Sequence, residues 1–379
     1  MSFLLTEEQQ MVQESARDFC RENVPLTVLR RLRDTQDARG FDQAIWQQIV
    51  ALGWPGMTIA ETYGGFGFGY TGLGLVLEES GRCLLSSPLI ATVLLGSTAI
   101  GLAGNETQKQ QWLPAIVAGE VLFALACEEL PHHSPYHVAT RARPDGSGYV
   151  LQGRKCFVLD GHIADRLIVT ARTSGNPGDR DGISLFMVDA AAAGIRRQRT
   201  WMVDSRNAAI IEFDSVKLPA EALLGTEGQA GAVLDQVLDV GRIGLAAEML
   251  GSVQEVFDRT VEYLKQREQF GVPIGAFQGL QHRLAHLYAE IELCKSVVRA
   301  ALHALDHEPA RVPLLASLAK ARLSEVLFTV SNEGIQMHGG IGMTDEFDIG
   351  FFIKRARVAQ QCLGDAAYHR NRYADLQGF

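Results

Sequence analysis

The apolar residues Leu280, Leu284, Leu287, Ile291, Cys294, Val298, Leu302 and Leu305 recur at spacings of three and four. That period puts all eight on one face of a single helix, and a face so long must be covered by another helix. Met249, Val253, Val256, Phe257, Val261 and Leu264 form a second stripe of the same kind. Gly271 and Pro273 separate these two helices, and Pro313 opens a third. The segment 226–379 therefore predicts four long helices packed as a bundle.

Upstream, the pattern changes twice. From 121 to 225 the chain reads as short β-branched and aromatic runs: VLFALAC, GYVLQGRKCFVL, DRLIVTAR, ISLFMVDA, IRRQRTW and AAIIEFDSVKLP. With the turn dipeptides Asp145-Gly146 and Asp181-Gly182, these predict an antiparallel sandwich or small β-barrel. From 1 to 120 the texture is helical again. Thr6 before EEQQ predicts an N-cap, and helices are expected over 42–52, 71–83, 87–103 and 107–118. The fold class is α+β, in three segments.

At 379 residues and 47% hydrophobic, the chain can bury a large core. A net charge of -9 without Lys/Arg runs argues against a nucleic-acid or anionic-membrane partner, and a small anionic ligand would need specific arginines. The six cysteines, Cys20, Cys83, Cys127, Cys156, Cys294 and Cys362, form no C-x-x-C and read as reduced core thiols. The N-terminus, MSFLLTEEQQ, lacks the pattern of a signal or transit peptide, and no apolar run is long enough to span a bilayer. A soluble, cytoplasmic protein is expected.

Several motifs invite a function. GFGYTG, Gly67 to Gly72, matches G-x-G-x-x-G, but its lead-in GWPGMTIAETYGG contains no strand and no acidic ribose partner follows, so a glycine-rich turn is expected. PHHSPYH clusters His132, His133 and His137 without cysteine or acidic ligands at metal spacing, and no metal is expected. There is no G-x-S-x-G elbow. HGGIG, His338 to Gly342, reads as a glycine turn closing a long helix, or as a close backbone approach to a ligand. REQFGVPIGAFQ sets an arginine, two glutamines and two aromatics around a helix break, as either linker or binding element.

The order helices, β-domain, helical bundle, with REQFGVPIGAFQ, IQMHGGIGMTDEFDIGFFIKRA, LGWPGMTIAETYGGFGFGYTGLGLVLEESGR and KLPAEALLG in their places, resembles the acyl-CoA dehydrogenase superfamily over almost the whole chain. The resemblance implies an N-terminal helical domain (1–120), a central β-domain (121–225) and a C-terminal four-helix bundle (226–379). It implies a tetramer that binds FAD and oxidises an acyl-CoA thioester to the 2-enoyl form, with an electron-transferring flavoprotein as acceptor. FAD is shared between protomers in this fold. On the neighbour side, the resemblance places Arg267 at the pyrophosphate, Gln269, Phe270 and Gln278 around it, and Gln336, Gly339 and Gly340 near the adenosine half. An arginine fork and Cβ-free backbone suit a buried diphosphate.

The flavin-ring side departs from the family. The T-E-P-G-x-G-S-D loop is replaced by CEELPHHSP, so Cys127 stands for the threonine, and W-I-T-N-G is replaced by FVLDG, which keeps an aromatic at Phe157 but puts Leu159 where a second threonine would donate. The catalytic glutamate is also missing. The Y-E-G-T phrase is matched by CLGD, with Leu363 at the base position, and the alternative D-x-E-R phrase by DVGR, with Gly241 before Arg242.

Three accounts stay open. One is a heteromer similar to those of pimeloyl-CoA-type and steroid side-chain dehydrogenases, whose C-termini also read LGDAxxHR; this chain would be the small subunit beside a paralogous large subunit carrying the base. Another is a self-sufficient enzyme with Asp365, Asp239 or Glu248 as relocated base, although Asp365 also reads as the N-cap of the last helix. The last is a non-catalytic scaffold of the same fold.

Overall fold

In the computed structural model, which describes residues 5–379, Thr6 opens the first helix, α1 (Glu7–Asn23). Its hydroxyl accepts the Gln9 amide at 3.2 Å, and the Gln9 side chain accepts the Thr6 amide at 3.1 Å, the reciprocal cap the sequence signals. The leader reading of MSFLLTEEQQ rests in part on residues 1–4, outside the described residues. Then follow α2 (Leu26–Asp34), α3 (Gln43–Ala51), α4 (Tyr70–Arg82), an apolar π-helical stretch (Leu89–Gly96) running into α5 (Ser97–Ala103), and α6 (Glu106–Val117). All four helical stretches expected between 42 and 118 are present.

Eight strands follow: β1 (Phe123–Ala126), β2 (Arg141–Asp145), β3 (Gly148–Leu159), β4 (Arg166–Arg172), β5 (Ile183–Asp189), β6 (Ile195–Trp201), β7 (Asn207–Leu218) and β8 (Leu223–Leu224). They form one sheet in the order β6-β7-β3-β2-β4-β5-β8, with β1 paired to β4. The expectation of purely antiparallel pairing is corrected: β4 runs parallel to β1, and to β2 at Arg141–Arg172. Between β1 and β4 the chain makes the β2–β3 hairpin, and that excursion returns β4 in the direction of β1. The sheet core includes Leu151, Val169, Phe186, Ile211 and Phe213. The long β3–β7 pairing is interrupted by bulges after Leu151 and after Lys155, and the second bears on the candidate site.

The helical segment comprises α7 (Gly231–Gln266), a short hairpin of β9 (Glu268–Gln269) and β10 (Val272–Pro273), α8 (Gln278–His307), α9 (Val312–His338), α10 (Ile349–Gln361) and α11 (Ala366–Gln377). The α8 stripe is buried at Leu287, Ile291, Cys294, Val298 and Leu302 and only partly covered at Leu280, Leu284 and Leu305. The chain folds as two compact units, one of residues 5–31, 70–85 and 242–379, the other of residues 32–69 and 86–241. Inside the first, α4 and α7 cross backbone to backbone. A Cβ at Gly251 would lie 1.7 Å from Glu78 O, and one at Gly81 would lie 1.9 Å from Glu248 O. Only glycine allows that approach.

Candidate functional site

Arg267 follows the last residue of α7 and leads into the β9–β10 hairpin. Phe270 and Gly271 form its two-residue turn, both at positive φ (57° and 80°), the geometry a tight hairpin requires. Arg267, Gln269, Phe270, Gln278 and Gln336 are all exposed. The Phe270 side is 92% exposed, and its ring meets the edge of Phe277 at 6.1 Å. The Arg267 guanidinium has no hydrogen bond or ion pair among the described residues.

At the end of α9 the chain turns on Gly339, at φ 66° and ψ -141°, a conformation reserved for glycine. Gly340 is different: it has no positive φ, and a Cβ there would meet nothing within 4 Å. This chain's own packing gives no reason for a glycine at 340, whereas a ligand or second chain approaching the backbone would. His338 anchors the turn. Its ring is buried, stacked on Tyr263 at 4.3 Å, with Nδ1 donating to Gly334 O at 2.6 Å, and Tyr263 donates to His338 O at 3.3 Å. Burial keeps the imidazole below its ordinary pKa, hence neutral. Tyr263 lies one turn before Arg267, whose amide donates to Tyr263 O at 2.9 Å. One aromatic stack thus ties the glycine turn to the arginine hairpin. An exposed guanidinium on the hairpin and a backbone without Cβ at the turn are each groups that suit a diphosphate.

The loop expected to hold the base joins α10 to α11. Leu363 is buried and at φ 59°. Its carbonyl accepts from Arg242 Nε at 3.2 Å and His369 Nε2 at 2.9 Å. Lys320, fully buried on α9, donates to Gly364 O at 2.8 Å, Gln360 O at 3.1 Å and Ser324 Oγ at 3.2 Å. Burial pushes its pKa down to about 7. The loop is therefore held firmly in place around a side chain that accepts no proton. Asp365 caps α11, its carboxylate accepting the Tyr368 amide at 2.8 Å. Gly241 and Asp239 are buried within α7. Glu248 is committed to a buried bidentate pair with Arg355, at 2.9 and 3.3 Å.

Of the residues expected on the flavin-ring side, Cys127 is buried just past β1, while Phe157 and Leu159 are half-buried on β3. Phe157 sits at φ 50° inside the second β3 bulge. The Cys156 amide donates to Glu128 O at 2.8 Å and its thiol to Leu130 O at 3.3 Å, so the CEELPHHSP and FVLDG segments come together. The polar groups of this loop engage one another. Glu128 pairs with His133 and accepts the Ser134 amide at 3.2 Å. Glu129 accepts from Lys155 at 2.7 Å, from the Ala139 amide at 2.7 Å and from the Thr140 amide at 3.0 Å. Burial opposes ionisation of both glutamates, yet these partners hold each below the ordinary carboxylate range. The adjacent acids closing an apolar strand, and a lysine inside β3, were the available sequence signal for this network.

The glycine motif GFGYTG has an ordinary place in the fold. Gly67 and Gly69 take positive φ in a loop preceded by short 3-10 turns instead of a strand. The N-terminus of α4 is already served by the Asp306 carboxylate, which accepts the Tyr70 and Thr71 amides at 2.7 and 2.9 Å. Among the described residues, no group of three or more His, Cys, Asp or Glu is placed to hold a metal, and no helix is long and apolar enough to cross a membrane.

Family models for the N-terminal, middle and C-terminal domains of acyl-CoA dehydrogenase match residues 6–120, 133–216 and 230–376. A probable acyl-CoA dehydrogenase of Bacillus subtilis is 31% identical, over 95% of this chain and 95% of its own. Butyryl-CoA dehydrogenase from Megasphaera elsdenii superposes with a TM-score of 0.91 and 29% identity, covering 100% of each chain. The Tcur3481–Tcur3483 steroid ACAD superposes with a TM-score of 0.88 and 32% identity, covering 98% of each. Three matched domains in the expected order, on a helix–sheet–helix fold with an exposed arginine hairpin and glycine turn, make this chain a member of the acyl-CoA dehydrogenase family, whose members are FAD-dependent flavoproteins.

Proposed function

We propose that this chain takes part in α,β-dehydrogenation of an acyl-CoA thioester as one subunit of a heteromeric assembly, gripping the phosphate end of FAD while a paralogous partner removes the α-proton. The carrying observation is Leu363: a buried aliphatic side chain, which the resemblance puts at the family's base position, in a loop otherwise held by Arg242, His369 and Lys320. FAD, when bound, supplies the hydride acceptor. Arg267 would hold the diphosphate, and Gln269, Gln278 and Gln336 would add polar contacts. Phe270 would cover the cofactor, and Gly339 and Gly340 would let it reach the backbone. Cys127 is a weak donor and Leu159 none, so this chain's own ring-side loop offers the isoalloxazine little. The exposure of the entire phosphate-side set supports a cofactor straddling a subunit boundary in a homo- or heterotetramer, and the likeness to the Tcur3481–Tcur3483 pair favours two different chains. An electron-transferring flavoprotein would reoxidise the flavin.

The alternative is a lone enzyme using Asp365. It requires that carboxylate to leave the cap of α11 or to act from it. Preparing the chain alone and again with its co-expressed paralogue separates the two. A colourless, inactive lone chain and a yellow, enoyl-CoA-forming pair are expected, whereas a yellow, active lone chain would overturn the heteromeric reading.

A further inference from the structure

Between the glycine turn and α10 runs the segment 344–348, TDEFD, in the same compact unit as Arg30 of α2. It packs against the turn through Phe347, whose ring lies 4.9 Å from that of His338 and 6.2 Å from that of Tyr263. Asp348 stands at the N-cap of α10, where an aspartate ordinarily accepts an amide of the first helical turn. Here it makes no such bond. Its carboxylate goes instead to Arg30, which donates to it at 2.8 Å through one terminal nitrogen and to Asp345 at 3.0 Å through the other. The Arg30 guanidinium also lies over the buried Phe351 ring, at 4.9 Å. A planar fork can reach two carboxylates in this way, whereas a lysine ammonium is a single point charge. One side chain thus pins the segment on both sides of Phe347. The two ion pairs are partly exposed, so they contribute little to the stability of the whole unit, and their effect is on the place of this segment.

We propose that Arg30 is a positioning residue for the FAD diphosphate: by clamping Asp345 and Asp348 it holds Phe347 against His338 and so fixes the backbone at Gly339 and Gly340. This rests on the reading that the turn and Arg267 receive the phosphate end of the cofactor. Arg30 acts through the segment and not on the cofactor itself. Without the clamp, Phe347 loses its fixed place and the glycines regain the freedom of residues without Cβ. Only a fraction of chains then presents the turn in its binding form, and the apparent affinity for FAD falls by that fraction. The sequence hides the link, because Arg30 stands 315 and 318 residues before its two partners.

The test compares wild type with Arg30→Met, which keeps the stem over Phe351 and removes both ion pairs, and with Arg30→Lys, which can serve one aspartate at a time. Amide hydrogen exchange on the flavin-free full-length chain reads the segment, and FAD titration of the deflavinated assembly reads the affinity. In Arg30→Met, exchange over 338–348 is expected to rise about tenfold while the melting temperature moves by less than about 3 °C. The Kd for FAD is expected to rise about three- to tenfold, with Arg30→Lys between the two. Unchanged exchange over 338–348 would overturn the clamp. So would a rise spread evenly over all helices of the unit, which would make Arg30 a general stabiliser. Arg267→Ala separates this inference from the reading beneath it. If Arg267→Ala loses FAD and Arg30→Met does not, the inference alone fails; if Arg267→Ala keeps FAD, the phosphate-grip reading fails and the inference with it.

Discussion

Replacing Lys320 with Met tests the scaffold beneath the α10–α11 loop. The lysine is fully buried, its three acceptors are neutral, and both Arg242 and Arg355 act on it with like charge. Burial is the main cause of its fall from 10.5 to about 7. The sign follows directly. Between those two values the unfolded chain keeps a proton that the folded chain has released, so folding stability rises with pH. The slope is about 1.4 kcal/mol per pH unit while that difference lasts. Below pH 7 the ammonium is charged in both states, and the folded chain bears the whole penalty, about 5 kcal/mol for the full shift. Met keeps the stem but forfeits three hydrogen bonds, worth about 1 kcal/mol each. Urea unfolding of both proteins at pH 7, 8 and 9 should show wild type gaining about 2–3 kcal/mol on Lys320→Met across that window. A difference that stays constant with pH would refute the claim that Lys320 is buried near its point of neutralisation.

Asp365→Ala should cost about 1 kcal/mol of stability through the lost cap of α11 while sparing the turnover of the co-purified assembly, read by thermal melting and enoyl-CoA formation. If instead Asp365→Asn, with flavin content intact, abolished turnover, the base would lie in this chain. Glu248→Gln leaves Arg355 buried without its counter-charge and should destabilise the helical unit by about 3 kcal/mol or more in chemical denaturation. An effect below about 1 kcal/mol would mean the pair is not structural.

Periodicity made the helices legible. The α8 stripe, the Thr6 cap and the glycine turn after His338 are each local patterns with one physical solution. The strand runs were equally local, but β2 escaped because RARPD carries Pro144 and polar side chains, and its place in the sheet depends on pairing with β3 across the Gly146 turn. The parallel β1–β4 pairing escaped because strand direction is set by the whole excursion between them. Motif position alone singled out Arg267, Gln336 and Leu363 as candidates. It could not reveal that Glu248 is locked to Arg355, or that Asp306 occupies the helix start within GFGYTG. Apolar spacing reports which face is buried; it carries no record of what lies opposite.

The proposed grip on FAD phosphates by an outward-facing arginine and glycine turn is tested most directly by the flavin-to-protein ratio of the co-purified assembly carrying Arg267→Ala with Gly340→Ala. Among the described residues Arg267 is exposed and unpaired and a Cβ at Gly340 meets nothing within 4 Å, so the folding of this chain should change by less than about 0.5 kcal/mol. Bound flavin should fall at least about tenfold, the loss of a charge-assisted bidentate contact. Full flavin content in that variant, with the assembly intact, would contradict the account.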